Sequence, residues 1–153
     1  MNLPIYLTLL TESERALAES FRQVAAGHGD EPDVHALCQS LASQCDTHRA
    51  QLQPVIERYG SGESDNEPER LHADALRETR SGPLGLLRDL QDLYLLVSFT
   101  EITWTMVRQG GEALRDSELL AIVTQCAKQT DVQLQWLKTR MKQAAPQALI
   151  AAG

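Results

Sequence analysis

Residues 32–59 read Pro-Asp-Val-His-Ala-Leu-Cys-Gln-Ser-Leu-Ala-Ser-Gln-Cys-Asp-Thr-His-Arg-Ala-Gln-Leu-Gln-Pro-Val-Ile-Glu-Arg-Tyr. Taken in alternating steps of four and three, Val34, Cys38, Leu41, Cys45, His48, Leu52, Val55 and Tyr59 fall on one stripe. A strand would bring its apolar residues to one face at every second position, so this spacing predicts an amphipathic helix. Pro32 suits a first helical turn, where its missing N–H costs nothing, and Gly60 suits the stop. Pro54 lies inside the segment and is expected to kink the helix or end its regular part early.

Three further segments carry the same spacing. Positions 3, 7, 10, 14, 17, 21 and 24 read Leu, Leu, Leu, Glu, Leu, Phe and Val; positions 87, 90, 94, 97, 101 and 104 read Leu, Leu, Tyr, Val, Glu and Trp. Positions 119, 123, 126, 130, 133, 137 and 141 read Leu, Val, Cys, Thr, Gln, Leu and Met. Breakers divide them: Gly27-His28-Gly29-Asp30, the run Gly60 to Pro83, Gly110-Gly111 and Pro146, with Asp116 or Ser117 as a cap. The expected helices are 4–27, 32–59, 83–109 and 117–144, in one all-α domain spanning 1–153. Two short links flank one long one over 60–82, which predicts an antiparallel four-helix bundle whose crossover joins helices 2 and 3. A short helix is expected around Leu71 to Thr79 within that link.

Composition narrows the partners. The 153 residues are 42% hydrophobic, 23% charged and only 5% aromatic, so the core must be built from aliphatic side chains. A formal net charge of -7 argues against nucleic acid and against an anionic membrane surface, both of which call for a basic face. The most apolar stretch, Leu84 to Val107, carries Arg88, Asp89, Asp92 and Glu101, too many charges for a membrane span. Cys38, Cys45 and Cys126 form no CxxC pair and read as half-buried thiols in a reducing cytosol. No secretion signal is visible, so a cytoplasmic location is expected. Nucleotide-binding loops, nucleophile elbows and HExxH motifs are absent.

The stripes are interrupted by polar residues in an ordered way. Helix 1 carries Glu14 and helix 3 carries Glu101. Helix 2 carries Cys45 and His48, three apart, and helix 4 carries Thr130 and Gln133 at the same spacing. Residues at i and i+3 project from one helix face, so such a pair can grip one ion from one side. A short internal repeat keeps this register, with Cys45-Asp46-Thr47-His48 matching Thr130-Asp131-Val132-Gln133. His28, just past helix 1, reads as a cap at the negative end of the helix dipole. His35 and His72 read as surface residues, and Glu63, Asp65, Glu67 and Glu69 as a solvated acidic loop. Trp104 and Trp136 read as core or interface fillers.

This plan resembles the ferritin-like di-iron proteins, in which two helices give one Glu each and the other two give Glu-x-x-His. Of the six ligand positions only Glu14, His48 and Glu101 keep ligand chemistry, while Cys45, Thr130 and Gln133 are vestigial. Ser13-Glu14-Arg15-Ala16-Leu17, Asp46-Thr47-His48-Arg49-Ala50-Gln51-Leu52 and Lys128-Gln129-Thr130-Asp131 are similar to the bacterial stress-associated ferritin-like proteins, whose role is poorly known. The resemblance implies a ferritin-like fold, a degenerate di-iron site and a connection to stress response. The leading expectation is a non-enzymatic bundle without a cofactor that acts through protein contacts. Its core would hold Glu14 and Glu101 paired through His48, Gln133 and Thr130, with Cys45 inert. A homodimer is expected through apolar faces including helix 3, where Leu86, Leu93, Leu95, Leu96, Phe99 and Ile102 flank the stripe. Two alternatives stand beside it: an iron or manganese oxidase or peroxide-handling protein using Glu14, His48 and Glu101, and a binder of small apolar ligands.

Overall fold

The computed structural model describes residues 1–60 and 74–152. Four long helices account for most of them, and no strand occurs among the described residues: α1 Leu3–Gly27, α2 Pro32–Tyr59, α3 Gly82–Leu114 and α4 Ser117–Pro146. A short π-helical turn, Gln147–Ala151, follows α4. Each of α1, α2 and α3 has a proline in its first turn, where the fixed φ is already helical. The N-cap of α4 is Asp116, whose carboxylate accepts the Leu119 N–H at 3.1 Å. Arg58 and Tyr59 donate to the same carboxylate, so the end of α2 is tied to the start of α4.

α2 runs unbroken through Pro54 to Tyr59, contrary to the expected early end of its regular part. Pro54 and Ala50, whose carbonyl loses its N–H partner, both face outward, where water satisfies the carbonyl. α3 is longer than expected and carries Gly110 and Gly111 inside it. These glycines serve close approach and do not end the helix. A Cβ on Gly111 would stand 3.2 Å from Leu120 Cδ2, and one on Gly110 3.1 Å from Leu3 Cδ1. The helix ends at Arg115, a non-glycine residue in the left-handed region with φ 54.

α1 lies against α2 and α3, and α4 lies against α3 and α2. Along α1 and α3 the close pairs are Leu3 with Gly110, Ser13 with Thr100 and His28 with Asp89. Along α2 and α4 they are Asp33 with Arg140, His48 with Gln129 and Arg58 with Asp116. Two apolar clusters fill the interior. One gathers Phe21, Val24, Leu41, Leu90, Leu93, Val97 and Leu137, and the other Leu7, Leu10, Leu52, Val55, Trp104, Leu119 and Val123. The polar residues of the stripes lie at the levels between them.

The expected stripe positions of α1, α2 and α4 are buried, except for partly exposed residues at their ends. In α3 the stripe is rotated by about one residue: the buried face is Leu86, Leu90, Leu93, Val97, Thr100, Trp104, Val107 and Gly111. Leu86 and Leu93, expected on the flanks, are therefore core, and Glu101 moves off the buried stripe to a partly exposed position.

Residues 74–81 are not helical, so the expected short helix does not extend into them; Leu71, His72 and the acidic residues 63–69 lie outside the described residues. This end of the crossover is strapped to the bundle. The Leu76 N–H donates to buried Ser20 Oγ at 3.0 Å, and Leu76 packs on the first apolar cluster. Asp89, fully buried in α3, accepts the Arg80 N–H at 2.9 Å, the Arg80 guanidinium at 2.8 Å and His28 Nε2 at 2.7 Å. His28 is thus at the α1 C-cap, as expected, but also serves as a buried partner of Asp89. No helix among the described residues is long and apolar enough to cross a membrane.

Candidate functional site

Burying a charged group without partners costs far more than any single contact returns, so the polar residues at the bundle's centre must satisfy one another. Glu14 and His48 do so directly. Both are essentially inaccessible to solvent, and His48 Nδ1 lies 3.0 Å from Glu14 Oε1. The indole N–H of Trp104, from α3, donates to the same oxygen at 2.9 Å. The Trp104 ring also meets the His48 ring edge to face, at 6.0 Å between centroids. On its far side His48 Nε2 lies 2.7 Å from the side-chain oxygen of Gln129 on α4. All four helices therefore supply one member of a continuous chain: Trp104, Glu14, His48 and Gln129.

The geometry favours the protonated form of His48. Its two nitrogens face a carboxylate oxygen and an amide oxygen, and only the imidazolium donates from both. Burial is the largest single influence on this ring and opposes the charge. The neighbouring Cys126 and the hydrogen-bonded, charged Glu14 outweigh it and raise the pKa from 6.5 to about 10. Cys45 moves the other way in reactivity: burial first, then the neighbouring Glu14 charge, raise its thiol well above the usual range. Cys38 is pushed up to about 12 by burial and by Asp33. Cys38, Cys45 and Cys126 are all free and buried.

The remaining expected site residues are engaged elsewhere. Thr130 donates to the Cys126 carbonyl of its own helix at 2.7 Å. Gln133 Nε2 donates to Gln44 Oε1 at 2.7 Å and faces Cys45 Sγ at 3.8 Å. Glu101, one residue off the buried stripe, accepts an exposed bond from Thr105 at 3.4 Å. Thr100, not Glu101, is the α3 residue that faces α1, where it forms a hydroxyl pair with Ser13 2.5 Å apart. Glu14 Oε2 and Gln133 Oε1 accept no hydrogen bond from the described residues.

These residues do not fit a di-iron centre. A ligating histidine needs a bare ring nitrogen, and both nitrogens of His48 are committed. Glu14 keeps one open oxygen, but the second acid, Glu101, does not converge with it. Among the described residues no group of three or more His, Cys, Asp or Glu side chains is placed to hold a metal ion. Trp104 and Gln129 complete the centre, and neither was singled out in sequence for this. The signal for Trp104 was available: a buried indole N–H needs an acceptor, and Glu14 is the acid on the facing stripe.

No protein-family model, curated protein or solved structure matches this chain.

Proposed function

We propose that this chain is an antiparallel four-helix bundle of the ferritin-like kind in which a closed hydrogen-bonded centre stands where a di-iron site would be. The antiparallel arrangement is supported by the order of the long-range pairs. Leu3–Gly110, Ser13–Thr100 and His28–Asp89 run in opposite sequence directions, as do Asp33–Arg140, His48–Gln129 and Arg58–Asp116. The observation that carries the functional reading is the commitment of both His48 nitrogens, to Glu14 and to Gln129. With no open ligand nitrogen and three buried free thiols, the centre is a structural device that fixes the helix register. The protein then acts through its surface, as a homodimer and partner-binding bundle in the bacterial cytoplasm, in keeping with the stress-associated proteins it resembles.

The test is elemental analysis of untagged protein, followed by reloading with ferrous iron or manganese in the absence of chelator. Metal well below one equivalent per chain in both preparations is expected. Stoichiometric metal that disappears in His48→Ala would overturn the reading in favour of an oxidase or peroxide-handling centre.

A further inference from the structure

Arg15 follows Glu14 and Arg49 follows His48, so the bond within the central pair also holds these two arginines at one level of the bundle, on α1 and α2. Both line a groove of about 490 Å³ between those helices, together with Arg22, Glu19 and Asp46. The short side chain of Ala18 leaves room among these long ones. The volume is that of a small-molecule site.

The two acids of the groove are already taken. Glu19 lies 3.8 Å from the Arg15 guanidinium, which also donates to Glu12 at 2.7 Å, and Arg22 donates to Asp46 at 2.5 Å. Arg49 is left over. Among the described residues it has neither an ion pair nor a hydrogen-bond acceptor, although its Nε is shielded from water. A guanidinium N–H buried without an acceptor is costly, and no other arginine nitrogen among the described residues is left that way.

We propose that this groove binds a small oxyanion of the phosphate class, free phosphate or a phosphate monoester, in the fork of Arg49. The Nε–H and Nη–H groups of a guanidinium lie side by side and donate to two oxygens of one anion. A tetrahedral anion fits better than a carboxylate, because it keeps a third oxygen for Arg22 or Arg15. The chain carries a formal net charge of -7, so long-range attraction brings no anion here and these local contacts must hold it. The site does not depend on the homodimer proposed above.

The experiment is isothermal titration calorimetry of the whole chain with inorganic phosphate, at constant ionic strength set with chloride. Circular dichroism checks the folding of each variant. One saturable site per chain is expected. Arg49→Gln should weaken it by about tenfold or more, the size of one charge-assisted hydrogen bond. Arg49→Lys should recover only part of that loss, because it restores the charge without the fork. Asp46→Asn should tighten binding severalfold by releasing Arg22. Glycerol phosphate separates the two sources: tighter binding than inorganic phosphate assigns the site to a monoester, and equal or weaker binding to the free ion. Absence of saturable binding up to tens of millimolar phosphate overturns the proposal. So does binding that Arg49→Gln leaves unchanged, which would place the anion elsewhere on the chain. Full recovery in Arg49→Lys overturns the fork as the holding geometry.

Discussion

His48 Nδ1 and Glu14 Oε1 stand 3.0 Å apart with both side chains essentially out of water, 34 residues apart in sequence. The pair lies between two apolar clusters, and each partner is held by a further helix, Glu14 by Trp104 and His48 by Gln129. Two buried charges gain little net stability from each other once desolvation is counted, but removing one leaves the other stranded. Such a pair is well placed to fix which faces of the four helices meet.

Alkaline pH should weaken the fold. His48 is raised from 6.5 when free to about 10 in the bundle. Its stabilisation is therefore fully present below pH 6.5 and is lost as pH rises toward 10, because the unfolded chain binds fewer protons over that window. The midpoint of thermal unfolding should fall steadily between pH 7 and pH 10. Glu14→Gln should flatten that slope. A neutral imidazole has one donor and one acceptor, and the Gln129 amide can turn to supply the matching N–H, so the variant should cost no more than about 1 kcal/mol at pH 7.

Trp104→Phe tests the third member of the centre. An aromatic ring is kept, though a smaller one, and the indole N–H that Glu14 accepts is removed. A hydrogen bond to a charged acceptor is worth about 2 kcal/mol, and denaturant unfolding should show a loss of at least that size, the cavity adding to it. A loss under about 0.5 kcal/mol would mean that Glu14 does not depend on this donor.

The strap at the end of the crossover hangs on Asp89, which accepts from the Arg80 backbone, the Arg80 guanidinium and His28. Asp89→Ala strands all three donors, and about 3 kcal/mol of stability should be lost. Amide exchange at Leu76 and Arg80 should speed up more than exchange in the middle of α2. Uniform acceleration would show instead that the strap unfolds only with the whole bundle.

Arg115 ends α3 in a left-handed conformation that an L side chain adopts at a cost. Arg115→Gly should relieve that cost, and after the extra freedom of glycine in the unfolded chain a gain of about 0.5 kcal/mol should remain. Thermal unfolding measures it.

Three of the four buried faces could be read from the sequence because their outward positions are polar, leaving one register for each helix. α1 has Glu12, Arg15 and Glu19 outside; α2 has Gln39, Ser43 and Thr47; α4 has Glu118, Lys128 and Asp131. α3 offers no such contrast. Its apolar residues surround the helix from Leu93 to Phe99, and two stripes one position apart fit equally well. Long-range contacts choose between them: Thr100 meets Ser13, and Asp89 meets Arg80 and His28. That choice moves Glu101 outward and brings Trp104 to Glu14, so the centre was legible as Glu14 and His48 but not as a four-membered chain. Gln129 escaped notice because it sits beside the stripe position Thr130 and reaches His48 only through the packing of α4 on α2. The Gly110-Gly111 pair misled for a related reason: glycine marks close approach as readily as a helix end, and only the neighbours Leu3 and Leu120 distinguish the two.

The most direct measurement is the nitrogen-15 spectrum of the His48 ring at pH 8, with and without added zinc or manganese, assigned by comparison with His48→Gln. Two protonated ring nitrogens, unmoved by stoichiometric metal, are expected of a ring held between Glu14 and Gln129. A bare nitrogen whose resonance shifts with one equivalent of metal would contradict the closed centre and restore His48 as a ligand.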